Sequence, residues 1–137
     1  MDMIKVVCGI IYKDEKILIC RRKPNKSLGG YWEFPGGKIE NGESNEDSLK
    51  RELMEELQME VDGIQYFGSA KYDYESFSID LIAYTCNLTR WNLLLTDHDK
   101  YDWVTPDEIL NWKLAPADVP LAETIKNKKA HNKTYKQ

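Results

Sequence analysis

Residues 44 to 57 carry two patterns on one stretch of chain. Leu49, Leu53 and Leu57 recur at i, i+4 and i+8, the spacing of an apolar stripe on a helix. Glu52, Glu55 and Glu56 stand at i, i+3 and i+4, so their side chains share a second face of that helix. Ser44 is a good N-cap, and Asp47 three residues later approximates a capping box. A chain with this segment must lay the leucines on a core and hold three carboxylates together outside it. Like charges at these spacings destabilise a bare helix by a few tenths of a kcal/mol per pair. They also fall in its C-terminal half, where the helix dipole disfavours anions. A cation offsets both effects, and carboxylate oxygens are the hard ligands that Mg²⁺ and Mn²⁺ prefer. A solvated acidic face would give the same triplet, so the triplet alone does not decide.

The surroundings of the helix predict an α+β (mixed α/β) domain. Ile4 to Tyr12 and Lys16 to Cys20 read as a strand pair about a turn at Lys13-Asp14-Glu15. Tyr31 to Phe34 reads as a short aromatic strand. Val61 to Tyr74 and Ser76 to Leu88 read as long strands joined near Glu75, and Tyr101 to Val104 as another short one. Thr105 and Pro106 suggest the start of a short helix. A last helix is expected after Pro116, fading from Lys126 into a polar tail. At 137 residues the chain suits one domain over 1–130, with 131–137 as the tail.

The formal net charge of −4 argues against a nucleic-acid polymer as partner, because such binders usually carry excess basic charge. A small phosphorylated substrate remains open, since divalent metals can supply positive charge locally. The apolar run Val6 to Tyr12 is too short to span a bilayer, and Met1 to Lys5 shows no signal-peptide pattern, so a cytoplasmic protein without membrane contact is expected. Cys8, Cys20 and Cys86 are expected as reduced, buried thiols. His98 and His131 are expected at the surface and not as ligands.

The longer pattern around the helix settles the reading of the acidic face. Gly37, Glu43, Arg51, Glu52, Leu53, Glu55, Glu56 and Met59 resemble the Nudix box, G-x5-E-x7-R-E-U-x-E-E-x-G-U, with U a bulky aliphatic residue. Trp32-Glu33-Phe34-Pro35-Gly36-Gly37 is similar to the MutT-like branch of that family. One position departs: Gln58 stands where the family has glycine, a residue suited to a left-handed helix end. Either Gln58 accepts that conformation or the helix ends differently.

The resemblance implies a Nudix fold, a mixed β-sheet sandwiched between helices. It implies a Mg²⁺-dependent hydrolase, with Mn²⁺ able to substitute, that releases a nucleoside monophosphate and pyrophosphate from a nucleoside triphosphate. Glu52, Glu55 and Glu56 would bind the metal with the carbonyl of Gly36, and Glu52 or a nearby acid would deprotonate water. Arg51 would orient the glutamates, and Glu43 would tie loop to helix. Asp97 is the expected further acid, with Asp99 competing. Arg22 and Lys38 are candidate phosphate contacts, and Phe34 and Phe77 candidate base-stacking residues. Leu114 to Leu121 is similar to a segment of MutT-like CTP pyrophosphohydrolases, which implies a preference for (d)CTP or modified dCTP. Asp118 would there accept hydrogen bonds from the base, or else cap the last helix. Its chemistry suits cytosine N4 or guanine N1 and N2, so an 8-oxo-dGTP diphosphatase is the alternative, and a non-catalytic nucleotide-binding module a more distant one. The expected assembly is a monomer or homodimer.

Overall fold

A computed structural model describes residues 3–136, with side chains up to Lys128. Strand β1 (Met3–Lys13) turns at Asp14-Glu15 into β2 (Lys16–Arg22), and both alternate strictly. Cys8, Ile10, Ile17 and Ile19 enter one apolar layer, while Val7, Ile11, Leu18 and Cys20 enter the other. A strand that is apolar on both faces must have cover on both. The covers are helix α1 (Asn45–Leu57), which lays Leu49, Leu53 and Leu57 on the second layer, and helix α2 (Val119–Lys136), which lays Leu121, Ala122 and Ile125 on the first. The three α1 leucines are fully buried, worth about 1.5–3 kcal/mol each by transfer. The sheet is thus held between two helices, as the family resemblance implies.

Strands β3 (Trp32–Glu33) and β4 (Gly36–Lys38) are short, and β5 (Met59–Asp73) and β6 (Ser78–Trp91) form a long hairpin. Strand β7 (His98–Val104) completes a seven-stranded mixed sheet of order β3-β2-β1-β6-β5, with β4 on β1 and β7 on β2. β1 runs parallel to β6 from Met3↔Ser78 to Tyr12↔Asn87. Its opposite edge is divided: Tyr12 and Lys13 pair with β2, while Val6 to Cys8 pair with β4. The two glycines of β4 give no apolar signal, which is why the sequence shows no strand there.

Three expectations change. The short helix expected from Thr105 is a single 3-10 turn, Ile109–Asn111, and Thr105 contributes only its carbonyl, to Glu108 N–H at 3.1 Å. The chain must reopen at once so that Leu114 can pair with Trp32. Helix α2 continues to Lys136 instead of fading at Lys126, since no glycine or proline interrupts it after Pro120. His98 is buried, not at the surface, and His131 lies outside the described side chains. The three cysteines are buried and unbridged. Among the described residues no helix is long and apolar enough to cross a membrane.

The end of α1 resolves the departure at Gln58. Its φ of 50° and ψ of 49° are left-handed, and its N–H reaches the carbonyls of Leu53 and Met54. The glutamine therefore accepts the strain that glycine would avoid. Gln58→Gly should stabilise the protein by up to about 1 kcal/mol in equilibrium unfolding. Equal or lower stability of the variant would show that the Gln58 side chain offsets the strain.

Candidate active site

The site is assembled around β4. A side chain at Gly36 would run into the Val7 carbonyl and the Cys8 backbone of β1. One at Gly37 would run into the carboxylate of Glu52. Close approach of backbone thus requires glycine at Gly36, whereas at Gly37 the neighbour is the end of a side chain that can move aside. Gly36, Gly37 and Lys38 also line a cavity of about 520 Å³, so β4 separates that cavity from the acidic face of α1.

Arg51 organises the face. Its Nε donates to Glu43 Oε2 at 2.7 Å and its Nη2 to Glu43 Oε1 at 2.9 Å, a bidentate pair. Nη1 donates to Glu52 Oε1 at 2.9 Å and Glu55 Oε2 at 3.1 Å, and Nη2 also reaches the Lys38 carbonyl at 3.2 Å. Glu43 in turn accepts from Glu40 N–H at 3.1 Å, closing the loop onto the helix. The Arg51 hydrogen bonds hold the Glu43 carboxyl down at about 2. Burial outweighs Arg51 at Glu52 and lifts its pKa above the ordinary range.

Glu56 is outside this network. Its neighbour is Asp97, in the loop before β7, and no N–H or O–H donor among the described residues reaches its buried Oε2. Burial, then the hydrogen bond and charge of Asp97, push the Glu56 carboxyl up to about 7. Burial acts the same way on Asp97, but its bonds to Glu56 and to Lys26, 3.3 Å away, prevail and lower it. Two facing carboxyls need a proton or a cation between them. Among the described residues no three ligating side chains converge closely enough to hold an ion as they stand. Glu52 and Glu55 turn toward Arg51, whose guanidinium supplies the positive charge there. The donor set is nonetheless all oxygen, as a hard divalent cation requires. Asp99, the competing candidate, is committed to Arg21 by two bonds of 2.8 Å.

Arg22, Phe34, Lys38, Phe77 and Asp118 all line the one cavity. Phe77 stacks on Tyr74, with ring centroids 5.2 Å apart and 27° between planes. Phe34 is mostly core, 3% exposed. Asp118 does not cap α2 with its side chain: its main-chain carbonyl takes Ala122 N–H, and its Oδ2 accepts from Phe34 N–H at 2.9 Å. Burial, reinforced by the charge of Glu33, raises the Asp118 carboxyl well above the ordinary range. Arg22 is engaged by the Ser27 carbonyl at 2.6 Å and Glu33 Oε2 at 3.3 Å.

Three residues of this cavity and its support escaped the sequence reading. Glu33 and Tyr74 line the cavity, and His98 backs it through Glu33 Oε2 at 2.9 Å. A lone acid between Trp32 and Phe34 was the available signal for Glu33. His98, in a polar stretch of sequence, gave none.

The NUDIX domain model matches residues 6–124. The CTP pyrophosphohydrolase of Escherichia coli (strain K12) is 39% identical over 125 residues, 91% of this chain and 93% of that protein. The 8-oxo-dGTP diphosphatase of Buchnera aphidicola subsp. Schizaphis graminum is 33% identical, across 80% of this chain and 82% of that protein. The solution structure of the E. coli ORF135 protein superposes with a TM-score of 0.80 at 37% identity, covering 96% of this chain and 94% of that one. With the family model matched from one end of the sheet to α2 and these identities along most of its length, the chain belongs to the Nudix hydrolase family, whose members generally act on nucleotides with a divalent metal.

Proposed function

We propose that the chain is a Mg²⁺-dependent nucleoside triphosphate pyrophosphohydrolase that favours cytosine nucleotides, with Mn²⁺ able to substitute. One observation carries the reading: Glu56 faces Asp97 with its buried Oε2 unpartnered among the described residues, one strand away from a cavity lined by basic, aromatic and carboxyl groups. Glu52, Glu55, Glu56, Asp97 and the Gly36 carbonyl would hold the metal. When bound, a divalent cation neutralises phosphate charge and lowers the pKa of water. Glu52 or a neighbouring acid takes the proton of the attacking water, and Arg51 fixes where the glutamates stand. Lys38 and Arg22 meet the phosphates from the cavity side.

The base preference rests on Asp118 and Glu33. Burial, reinforced by the charge of Glu33, raises the Asp118 carboxyl well above the ordinary range, and its Oδ2 holds Phe34 N–H. A protonated Asp118 presents a donor, with Glu33 beside it as the acceptor. Cytosine offers the complement, N3 as acceptor and the N4 amino group as donor. Guanine offers O6 and N1–H in the same order, so oxidised dGTP belongs in any substrate panel.

Pyrophosphate release from such a panel should stop in EDTA and return with Mg²⁺ or Mn²⁺. Glu56→Gln should lower kcat by roughly 100-fold or more. Near-normal turnover by the folded variant would remove Glu56 from the site.

The same substitution has an opposite effect on stability. A carboxyl raised on folding binds more protons folded than unfolded between its ordinary value of 4.5 and about 7, so stability falls as pH rises through that window. Without divalent cations Glu56→Gln should therefore unfold at a higher temperature than the parent at pH 8, with little difference at pH 4. Added Mg²⁺ should raise the melting temperature of the parent more than that of the variant. Identical pH profiles would sink the assignment.

Asp118→Ala removes both the base contact and the acceptor of a buried N–H. It should cost about 1–3 kcal/mol of stability. It should also lower kcat/KM about 10- to 100-fold on the preferred triphosphate. Asp118→Asn keeps an acceptor for Phe34 and places an amide donor where the hydroxyl was, so fold and base ranking should survive. Equal slowing of every nucleotide by both variants would leave Asp118 a structural role alone.

A further inference from the structure

Behind the cavity wall stands a histidine that the chemistry above does not use. His98 opens β7, and its side chain is 2% exposed. Its Nε2 meets Glu33 Oε2 at 2.9 Å, while no partner among the described residues reaches its Nδ1. Burying a polar ring with one nitrogen unpaired is unfavourable, and an apolar side chain would fill the place at lower cost. The contact with Glu33 is thus what the imidazole contributes there.

A second donor lands on the same atom. Arg22 and His98 are cross-strand partners, and the β2–β7 register shifts between Arg21 and Arg22. Such a bulge re-aims side chains. Here Arg21 goes to Asp99, while Arg22 donates from Nη1 to Glu33 Oε2 at 3.3 Å with its Nε fixed on the Ser27 carbonyl. Two partners on one carboxylate oxygen fix the rotation of the group and leave Oε1 as the oxygen available to a ligand in the cavity.

We propose that His98 is a positioning residue for base selection: together with Arg22 it locks Glu33 so that Oε1 stands beside Asp118 as the acceptor of the base-reading pair. The proposal rests on the base-reading role assigned above to Glu33 and Asp118. It also gives the junction of the Asp97 loop and β7 a double task. Asp97 reaches Glu56 on the acidic face, and the next residue sets the base wall, so one chain segment fixes the distance between the two.

The test uses the four common nucleoside monophosphates, whose binding by calorimetry needs neither metal nor turnover. The wild type should prefer one base. His98→Leu, which fills the buried space without a donor, should reduce that preference about tenfold and leave the weaker ligands unchanged. His98→Gln, which keeps an N–H near the Nε2 position, should retain it. In turnover, His98→Leu should raise KM for the preferred triphosphate with little change in kcat. Combined with Glu33→Gln, it should add little to the single Glu33 change, because the two act through one contact. A wild type without base preference, an equal loss for all four ligands, loss of preference in His98→Gln, or additive effects in the double variant would overturn the proposal. A preference that depends on His98 in a protein releasing no pyrophosphate would instead overturn the pyrophosphohydrolase reading and leave the positioning role standing.

Discussion

Strand β4 is compressed from two sides. The backbone of β1 lies against Gly36 so closely that a methyl group would not fit, and the end of the Glu52 side chain rests on Gly37. The leucines of α1 hold the helix on the sheet, and the two contacts seat β4 between β1 and the acidic face of the helix. The pairing of β4 with Val6 to Cys8 adds a backbone ladder to the contact, and Gly9 N–H holds the Pro35 carbonyl at 2.9 Å. A substitution at Gly36 would have to push the loop or the edge of β1 away, and one at Gly37 would displace the Glu52 carboxylate. The packing of two small residues thus comes before any chemistry the carboxylates can do.

Electrostatics then divides the acidic face into two parts. Arg51 meets Glu43, Glu52 and Glu55, so those charges are compensated by the protein itself. Glu56 receives nothing from Arg51 and faces another carboxyl. A surface evolved only for stability would place a cation or an amide there, because facing carboxyls repel unless one is protonated. The energetic tension is local to the residues that would hold a metal, and the guanidinium network next to it keeps the remaining acids in place. Stability and activity are therefore opposed at Glu56 and aligned at Arg51 and Glu43.

A polar layer of a different kind supports the base wall. Asp118 and Phe34 are 84 residues apart, and their hydrogen bond joins the segment before α2 to the end of β3. Leu114 and Ala115 strengthen that junction by pairing with Trp32. Glu33 is held from β2 and β7. The cavity is thus walled by residues from the start, middle and end of the chain, and Glu33 and Asp118 are fixed there by bonds to distant partners.

Local pattern carried much of this in advance. The leucine and glutamate spacings of α1, the Ser44 cap, the strand pair of β1 and β2 and the box residues could be read because helix and strand periods act between near neighbours in sequence. The left-handed Gln58 could be posed as an alternative, since glycine's conformational freedom is a property of one residue. What the sequence could not decide depends on which distant segments meet. Arg22 and not Arg21 at Glu33 follows from the β2–β7 register and its bulge, while Asp97 over Asp99 at Glu56, the burial of His98 and the bond from Phe34 to Asp118 follow from the packing of distant segments. β4 was invisible for the same reason: two glycines have no side-chain period, and only pairing with Val6 to Cys8 of β1 makes them a strand. The sequence determined the chemistry available on α1 through the fixed periodicity of a helix. The tertiary structure decided which groups face which, because long-range pairing sets side-chain direction residue by residue.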